Sequence, residues 1–283
     1  MLAPFHLKLI LIIHLKKPVL SQLLWCETSR LFYPAKHHTV FCTVSRHYNS
    51  RMLRVFVEVS DNYLWALKPF IYLFQTYWSE QQPVVIGGFA PPPFELPDNF
   101  RFHQIAKHNF PANKWSDGML KFFLDNPTDE HFVFMLADYW LSRTVDVRGV
   151  QACYDYIKDR PNVLRIDLSA DRLYAGGMRD VESYGCYDVV ETPNSSPYQM
   201  SIQAAIWHRK NFVKLLQQGK SAWEVEIHTK PPEQMRVLGT RQWPVRYANA
   251  LLKGQLDFEQ VKRIPQPHLD RIIQWIPENL LHK

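Results

Sequence analysis

The chain from Met52 onward alternates between two kinds of apolar pattern. Short runs of β-branched, aromatic and aliphatic residues predict five strands, at residues 53–62, 83–88, 100–106, 131–136 and 162–168. Apolar residues at helical spacing between these runs predict three helices, around residues 64–78, 115–126 and 149–158. Strands that alternate with helices at this spacing predict an α/β fold, with a mostly parallel central sheet and helices on both of its faces.

The second half of the chain is less regular. Beyond Asp171 a stretch rich in glycine and tyrosine predicts an irregular binding loop or lid. Residues 198–229 then predict a strand that ends at Trp207, followed by a helix that carries Phe212. After Gly254, helical spacing predicts one or two helices that pack back on the domain. The predicted organisation is a main domain over residues 52–254 and a helical tail over residues 255–283.

The first 51 residues differ in character from the rest of the chain. The apolar run near residue 10 is interrupted by His14, Lys16 and Lys17, so it is too short to span a bilayer. It also lacks a small-residue cleavage site of the kind that ends a signal peptide. We expect a poorly ordered or peripheral extension. The alternative is peripheral membrane contact, because a basic, apolar segment can lie on a membrane surface.

The net charge indicates which classes of partner the protein can bind, and the cysteine content indicates its cellular compartment. Lys and Arg number 33 against 27 Asp and Glu, a net charge of +6, which favours anionic partners. The basic residues are scattered along the chain and form no continuous block of like charge, so we expect no nucleic-acid partner. The four cysteines form no C-x-x-C pair, which predicts reduced thiols in a cytoplasmic protein, with membrane association as the alternative.

One carboxylate stands at the end of a predicted strand. The run HFVFML is followed by Ala137 and then Asp138. Because open α/β sheets bind ligands outside the carboxyl ends of their strands, an Asp at this position predicts contact with a metal ion or a phosphate. The alternative is that Asp138 caps a helix that begins near Tyr139.

Two further carboxylates follow a tryptophan near residue 225. Glu224 and Glu226 come directly after Trp223 in SAWEVE. A carboxylate beside an indole can have its pKa raised by desolvation, which suits a general base, and the aromatic face can hold a sugar ring. The alternative is a solvated glutamate beside a core tryptophan.

The order of these motifs resembles a known family. An α/β half contains MLADYWL and is followed by S-x-Q-x-x-x-W, a short helix and W-E-x-E. This order resembles glycosyltransferases of the GT-A type, in particular bacterial and phage-borne members. The resemblance covers roughly residues 52–254 and implies a Rossmann-like catalytic domain. It further implies transfer of a sugar from a nucleotide-sugar donor to a glycan or lipid-linked acceptor, as in polysaccharide biosynthesis, with Mn²⁺ or Mg²⁺ bound.

The resemblance also implies roles for individual residues. Asp138 corresponds to the metal-binding carboxylate, and Glu226 to the catalytic base, with Glu224 as the second candidate. Ser60 and Asp61 correspond to the turn that contacts the nucleotide, and Trp115 and Asp117 to residues that flank the base or the sugar. Arg172 or Arg143 would be the cation that stabilises the leaving group. Trp207 and Trp223 would form the acceptor platform. The chain departs from the family pattern because Leu136 stands where a D-x-D motif has its first acid.

Two other classes of protein remain open. A nucleotidyltransferase also combines an α/β sheet with metal-bound carboxylates, but it is expected to carry a glycine-rich, basic loop after the first strand, and SDNYLW contains neither glycine nor a basic residue. A non-catalytic protein that binds carbohydrate or a membrane surface would use the positive charge and the aromatic content of 14%.

Overall fold

The computed structural model describes residues 53–127 and 129–281. The predictions for residues 1–51, and the predicted start of the folded unit at Met52, lie outside the described residues.

Nine strands of the described chain form one sheet, in the order β3-β2-β1-β4-β9-β6-β10-β8-β7. Their bounds are β1 Val55–Glu58, β2 Val84–Gly88, β3 Phe100–Gln104, β4 His131–Leu136, β6 Val163–Asp167, β7 Arg179–Tyr184, β8 Tyr187–Thr192, β9 Ala205–His208 and β10 Arg236–Thr240. Two smaller pairs complete the strands, β5 Tyr139–Leu141 with β11 Tyr247–Asn249, and β12 Leu251–Leu252 with β13 Gln255–Leu256.

The described chain also contains eight α-helices. They are α1 Leu67–Tyr77, α2 Trp115–Asp125, α3 Val147–Ile157, α4 Asp171–Tyr174, α5 Arg209–Leu215, α6 Ala222–His228, α7 Phe258–Val261 and α8 Gln266–Ile272. Short 3₁₀ helices lie at Asp61–Ala66, Ala112–Lys114, Ile273–Trp275 and Glu278–Leu280. Among the described residues, none of these helices combines the length and the apolar character needed to cross a membrane.

The predicted α/β fold is confirmed. Strand β1 pairs in parallel with β2 and β4, and Val55 is the partner of both Val84 and Val133. Strands β8 and β9 run against the other seven, so the sheet is mostly parallel in direction. The reversed strand β9 lies between β4 and β6 and joins the two parallel halves of the sheet.

Helices cover both faces of the sheet, as predicted. Successive side chains of a strand point to opposite faces, and Val55 and Val57 of β1 enter one core, formed with α1, α3 and α8. Phe56 enters the other core, with α2, α5 and α6. There its ring stacks on Phe122 of α2, with the ring centroids 3.9 Å apart. Burial on both faces explains why these strands are apolar at consecutive positions.

Two local predictions are wrong. Asp138 does not begin a helix near Tyr139, because residues Tyr139–Leu141 form β5 and pair with β11. The stretch beyond Asp171 is not wholly irregular, because β7 and β8 form an antiparallel hairpin there. Gly185 adopts φ +63° in the hairpin turn, a conformation that favours glycine.

The C-terminal residues pack on the same core as the rest. As predicted, helices α7 and α8 follow Gly254, and they bury Val261 and Ile272 on the α1 side of the sheet. The predicted boundary at Gly254 falls in the turn of the β12–β13 hairpin, where this glycine has φ +78°.

Candidate functional site at the carboxyl edge of the sheet

The carboxyl ends of β1, β4 and β6 meet at one edge of the sheet, and the start of the reversed strand β9 lies at the same edge. In open α/β sheets ligands bind outside this edge. The chain segments that follow these strands bring together a carboxylate pair, a buried glutamate and an arginine-lined cleft.

Glu58 and Asp138 form the carboxylate pair. Glu58 is the last residue of β1 and is the register partner of Leu136, the last residue of β4. The neighbouring Ala137 N–H donates to the Glu58 carbonyl oxygen at 3.1 Å, which holds the two strand ends together. Asp138 follows directly, so two acidic side chains leave adjacent strands at one edge.

Both carboxyl groups have a raised pKa. Burial raises the pKa of Glu58 to about 7, the charge of Asp138 adds to the rise, and a hydrogen bond from the Trp115 side chain opposes it. Burial raises the pKa of Asp138 to about 6, against a hydrogen bond with backbone. Ionising both groups therefore costs free energy unless a cation joins them. Sequence reasoning missed Glu58, although a lone acid inside the run VFVEV was a signal.

The pair fits a divalent cation as far as donor chemistry goes. Mg²⁺ and Mn²⁺ prefer oxygen ligands, and Mg²⁺ is commonly held by one or two carboxylates together with phosphate oxygens and water. Glu58 supplies the second carboxylate that a D-x-D motif would have at the position of Leu136. Among the described residues, no group of three or more His, Cys, Asp or Glu side chains is arranged to hold a metal. A cation here would therefore need oxygens from a ligand.

We expect Glu58→Gln to stabilise the fold at alkaline pH. The pKa of about 7 in the folded chain exceeds the ordinary 4.5, so the folded chain binds the extra proton between these values and loses stability as pH rises. At pH 8 the variant should gain on the order of 2 kcal/mol in free energy of unfolding, and near pH 4 little or nothing. Urea unfolding at both pH values measures this. Glu95→Gln, at an exposed loop position, is the control, and equal gains at both pH values would contradict the expectation.

Glu226 lies close to the same edge. Its carboxylate accepts a hydrogen bond from the Ile202 N–H at 2.8 Å. Burial raises its pKa, while that hydrogen bond and the positive charge of Arg165 oppose the rise. A carboxylate with a raised pKa is suited to accept a proton.

Tyr139 connects Glu226 with Asp138. Burial raises the pKa of the Tyr139 hydroxyl well above its ordinary range, and the charges of Asp138, Glu226 and Asp171 raise it further. Tyr139 directly follows Asp138, its ring stacks on Tyr247, and the Tyr247 hydroxyl donates to Gln203, the neighbour of the residue whose N–H donates to Glu226. These contacts link Glu226 with Asp138, although the sequence separates them widely. The structure brings these two predicted residues into the same neighbourhood.

Glu224, the second candidate base, caps helix α6. Its Oε2 accepts hydrogen bonds from the backbone N–H and the hydroxyl of Ser221, and the Ser221 hydroxyl oxygen accepts from the Glu224 N–H. These hydrogen bonds hold the pKa of Glu224 below its ordinary value. This reciprocal capping box gives Glu224 a structural role at the start of the helix.

The two tryptophans predicted as an acceptor platform lie in different environments. Trp207 is fully buried, with its ring 4.8 Å from that of Phe212, so it is a core residue and offers no face to an acceptor. Trp223 is 64% exposed on α6 and retains an open ring face. Of the predicted pair, only Trp223 is placed where a ligand can reach it.

Arg172 belongs to a buried charge network rather than to an open site. Its Nε lies 3.0 Å from Asp167 and its Nη2 lies 2.6 Å from Asp171, and Arg165 also pairs with Asp167, at 2.6 Å. Because Arg172 is only 1% exposed, the structure does not support its predicted contact with a leaving group. Removing one member of such a network would leave an uncompensated buried charge, so its role here is structural.

Some of the residues predicted to contact the nucleotide, the base or the sugar lie at the carboxyl edge of the sheet. The Trp115 indole lies beside Glu58. Asp61 Oδ1 accepts from the Ala90 N–H at 2.9 Å, which joins the segments after β1 and β2. Asp117 Oδ2 accepts from the Gly219 N–H at 2.7 Å, which joins α2 to the segment before α6. Ser60 precedes the first 3₁₀ helix and its side chain makes no capping hydrogen bond.

A cleft of about 350 Å³ opens beyond β6, β9 and the β5–β11 pair. Its walls include Asp171 after β6, Gln203 before β9 and Tyr247 of β11. The Tyr247 ring stacks on Tyr139, with centroids 4.5 Å apart, so the cleft borders the tyrosine that directly follows Asp138. Of the predicted residues, only the alternative cation Arg143 lines this cleft.

Comparisons with known proteins give loose structural likenesses. No protein-family profile matches the sequence, and no curated protein matches it. Solved structures of UDP-glucose pyrophosphorylase, without ligand and in complex with UDP-glucose, align over 79% of this chain and 98% of theirs, at 8% identity and TM-scores of 0.40 and 0.41. The bifunctional glycosyltransferase WbbM aligns over 61% of this chain and 35% of its own, at 13% identity and a TM-score of 0.31. Such values carry no inference about activity.

Proposed function

We propose that the chain is a glycosyltransferase that moves a sugar from a nucleotide-sugar donor to an acceptor hydroxyl at the carboxyl edge of the sheet. The observation that carries the proposal is the chain of contacts between Asp138 and Glu226. Tyr139, which follows Asp138, stacks on Tyr247, the Tyr247 hydroxyl donates to Gln203, and the N–H of the neighbouring Ile202 donates to Glu226. One carboxylate leaves the end of β4, where phosphate and metal ligands commonly bind, and the other has the raised pKa of a proton acceptor.

The donor half of the site is proposed around Glu58 and Asp138. These two carboxylates would hold a divalent cation, which would supply positive charge to the donor diphosphate when bound. The Trp115 indole, held beside Glu58, offers an aromatic face for the base or the sugar. Glycosyl transfer builds negative charge on the departing diphosphate, so a cation held by these two carboxylates would lower the barrier.

The acceptor half is proposed around Glu226. Its carboxylate takes the proton of the acceptor hydroxyl while the acceptor oxygen forms the new bond to the sugar carbon and the bond to the diphosphate breaks. The hydrogen bond from the Ile202 N–H holds one oxygen, so the other is directed to the acceptor. This scheme inverts the sugar carbon. In a retaining reaction Glu226 would instead orient the acceptor.

A nucleotidyltransferase is the second candidate, because a carboxylate pair that fits a divalent cation at a strand edge also suits phosphoryl chemistry. Against it, residues 61–66 after β1 form a 3₁₀ helix instead of a glycine-rich, basic phosphate loop. The two reactions release different products, a nucleoside diphosphate from sugar transfer and pyrophosphate from nucleotidyl transfer.

A panel of nucleotide-sugars tests the proposal. We expect slow, Asp138-dependent hydrolysis of one donor with release of the nucleoside diphosphate, measured by chromatography with and without added Mn²⁺. Slow hydrolysis is expected because water can replace the acceptor. Release of pyrophosphate from a nucleoside triphosphate and a sugar phosphate would favour the second candidate. Absence of turnover and of nucleotide binding across the panel would contradict both.

A further inference from the structure

The cleft beyond β6 is lined by three arginines from separate segments. Arg143 follows β5, Arg246 precedes β11 and Arg263 follows α7. Within the described residues, none of the three forms an ion pair with an acidic side chain. Three arginines that line one cleft without acidic partners favour an anionic ligand, because an anion compensates their positive charge when it binds.

The carboxylate of Asp171, which also lines the cleft, does not neutralise these arginines. It accepts a hydrogen bond from Arg172 Nη2 at 2.6 Å and lies 3.5 Å from Arg165 Nη2. Its charge is therefore already matched inside the buried network. The cleft wall as a whole keeps its excess of positive charge.

Arg246 is held in place by a strained neighbour. Its guanidinium stacks over the Trp243 ring at 4.0 Å from the centroid. Trp243 adopts φ +36°, a left-handed conformation that is costly for an aromatic residue. Backbone strain of this kind persists where surrounding structure enforces it and occurs often at ligand sites. Stacking fixes the plane of the guanidinium and leaves its N–H edges for an anion.

We propose that this cleft binds a phosphate monoester carried by the acceptor, an inference that rests on the proposed sugar transfer. The volume of about 350 Å³ lies within the range of small-molecule sites and suits a phosphorylated monosaccharide or headgroup. Gln203 and Tyr247 line the cleft, the Tyr247 hydroxyl donates to Gln203, and the N–H of the adjacent Ile202 donates to Glu226, so a bound molecule lies next to the segment that holds Glu226. The carboxylate pair at the ends of β1 and β4 is left for the donor.

Isothermal titration of the full chain with glucose 6-phosphate, glucose and glucuronate tests the ligand class. We expect binding of glucose 6-phosphate alone. Arg246→Gln and Arg263→Gln should each weaken it about tenfold or more, the usual effect of losing one charge-assisted hydrogen bond. Arg101→Gln, an exposed arginine on the edge strand β3, is the matched control and should change affinity less than about twofold. Circular dichroism verifies that each variant is folded.

Separate titrations assign the site to the acceptor. Binding of UDP and of the nucleoside diphosphate that the active donor releases should be unchanged in Arg246→Gln, and loss of that binding would make the cleft a donor site and overturn the inference. Equal affinity for glucuronate, or binding of neither glucose 6-phosphate nor phosphatidic acid vesicles, would also overturn it. Phosphatidylcholine vesicles with and without phosphatidic acid distinguish the source. Arginine-dependent binding to the phosphatidic acid vesicles indicates a lipid phosphate, and binding of glucose 6-phosphate alone indicates a soluble one.

Donor hydrolysis separates this inference from the proposed function. Hydrolysis without glucose 6-phosphate or vesicle binding leaves the transferase proposal standing and removes the phosphate acceptor. Binding of glucose 6-phosphate by a chain that hydrolyses no donor removes the acceptor role, since no transfer reaction would then use the bound molecule.

Discussion

Glu226→Gln is expected to lower the rate of sugar transfer by about 10²- to 10⁴-fold and to leave donor binding unchanged. Glutamine has nearly the same shape and can still accept the hydrogen bond from the Ile202 N–H, so α6 should stay in place. It cannot take a proton from the acceptor hydroxyl. The loss should therefore fall on kcat, measured with saturating donor and acceptor, and titration with the nucleoside diphosphate should give an unchanged Kd.

The pH profile gives this expectation a second readout. The Glu226 pKa is raised by burial, so transfer should decline as pH falls through that raised value, because protonation removes the base. Glu233→Gln, an exposed position, is the control for a neutral glutamate change. If Glu224→Gln lowers kcat and Glu226→Gln does not, the base is misassigned by two residues.

Asp138→Ala is expected to abolish turnover, by on the order of 10³-fold or more, while the fold stays intact. The Asp138 carbonyl oxygen accepts from the Ala250 N–H at 2.9 Å through backbone alone, so the substitution keeps this link. Removing a carboxylate whose pKa is raised by burial also relieves a desolvation cost. The thermal midpoint should therefore not fall, and donor hydrolysis should become undetectable.

Asp98→Ala, at an exposed loop position, serves as the matched control and should keep full activity. Unchanged turnover in Asp138→Ala would remove Asp138 from the reaction. A lowered thermal midpoint together with lost activity would instead assign this carboxylate a structural role. Both variants are to be compared with and without Mn²⁺ and a nucleoside diphosphate added together, since a cation held by the pair and by phosphate oxygens should raise the thermal midpoint of the parent chain but not of Asp138→Ala.

The strands and helices that are buried on one face or on both could be predicted, because the spacing of apolar residues in the sequence reflects which side chains are buried. The runs at β1, β2, β4 and β6 are largely apolar and could be located without coordinates. The β7–β8 hairpin was missed because β7 is largely exposed and polar, so its sequence does not differ from a loop. The direction of β9 was not predictable, because a strand of four buried residues has the same pattern in either orientation.

The site was less predictable than the fold because it depends on which polar groups meet. Asp138 and Glu226 could be singled out by their sequence neighbours, but Arg172 and Trp207 gave no sign of their burial. Arg143, Arg246 and Arg263 are far apart in sequence and each resembles an ordinary surface arginine. Only their convergence on one cleft sets them apart, and that requires the fold.

The central position of β9 has a consequence for synthesis on the ribosome. Strand β4 ends at Leu136 and β6 ends at Asp167, yet the strand that pairs with both is not translated until residues 205–208. A nascent chain that has delivered β1 to β6 therefore exposes one edge of β4 and both edges of β6, because β9 and β10 are still missing, and bare strand edges are templates for pairing with other chains. We expect fragments truncated before Ala205 to aggregate, because one reversed strand at the centre of the sheet is then missing. We also expect the nascent chain to need chaperone protection until that strand is translated.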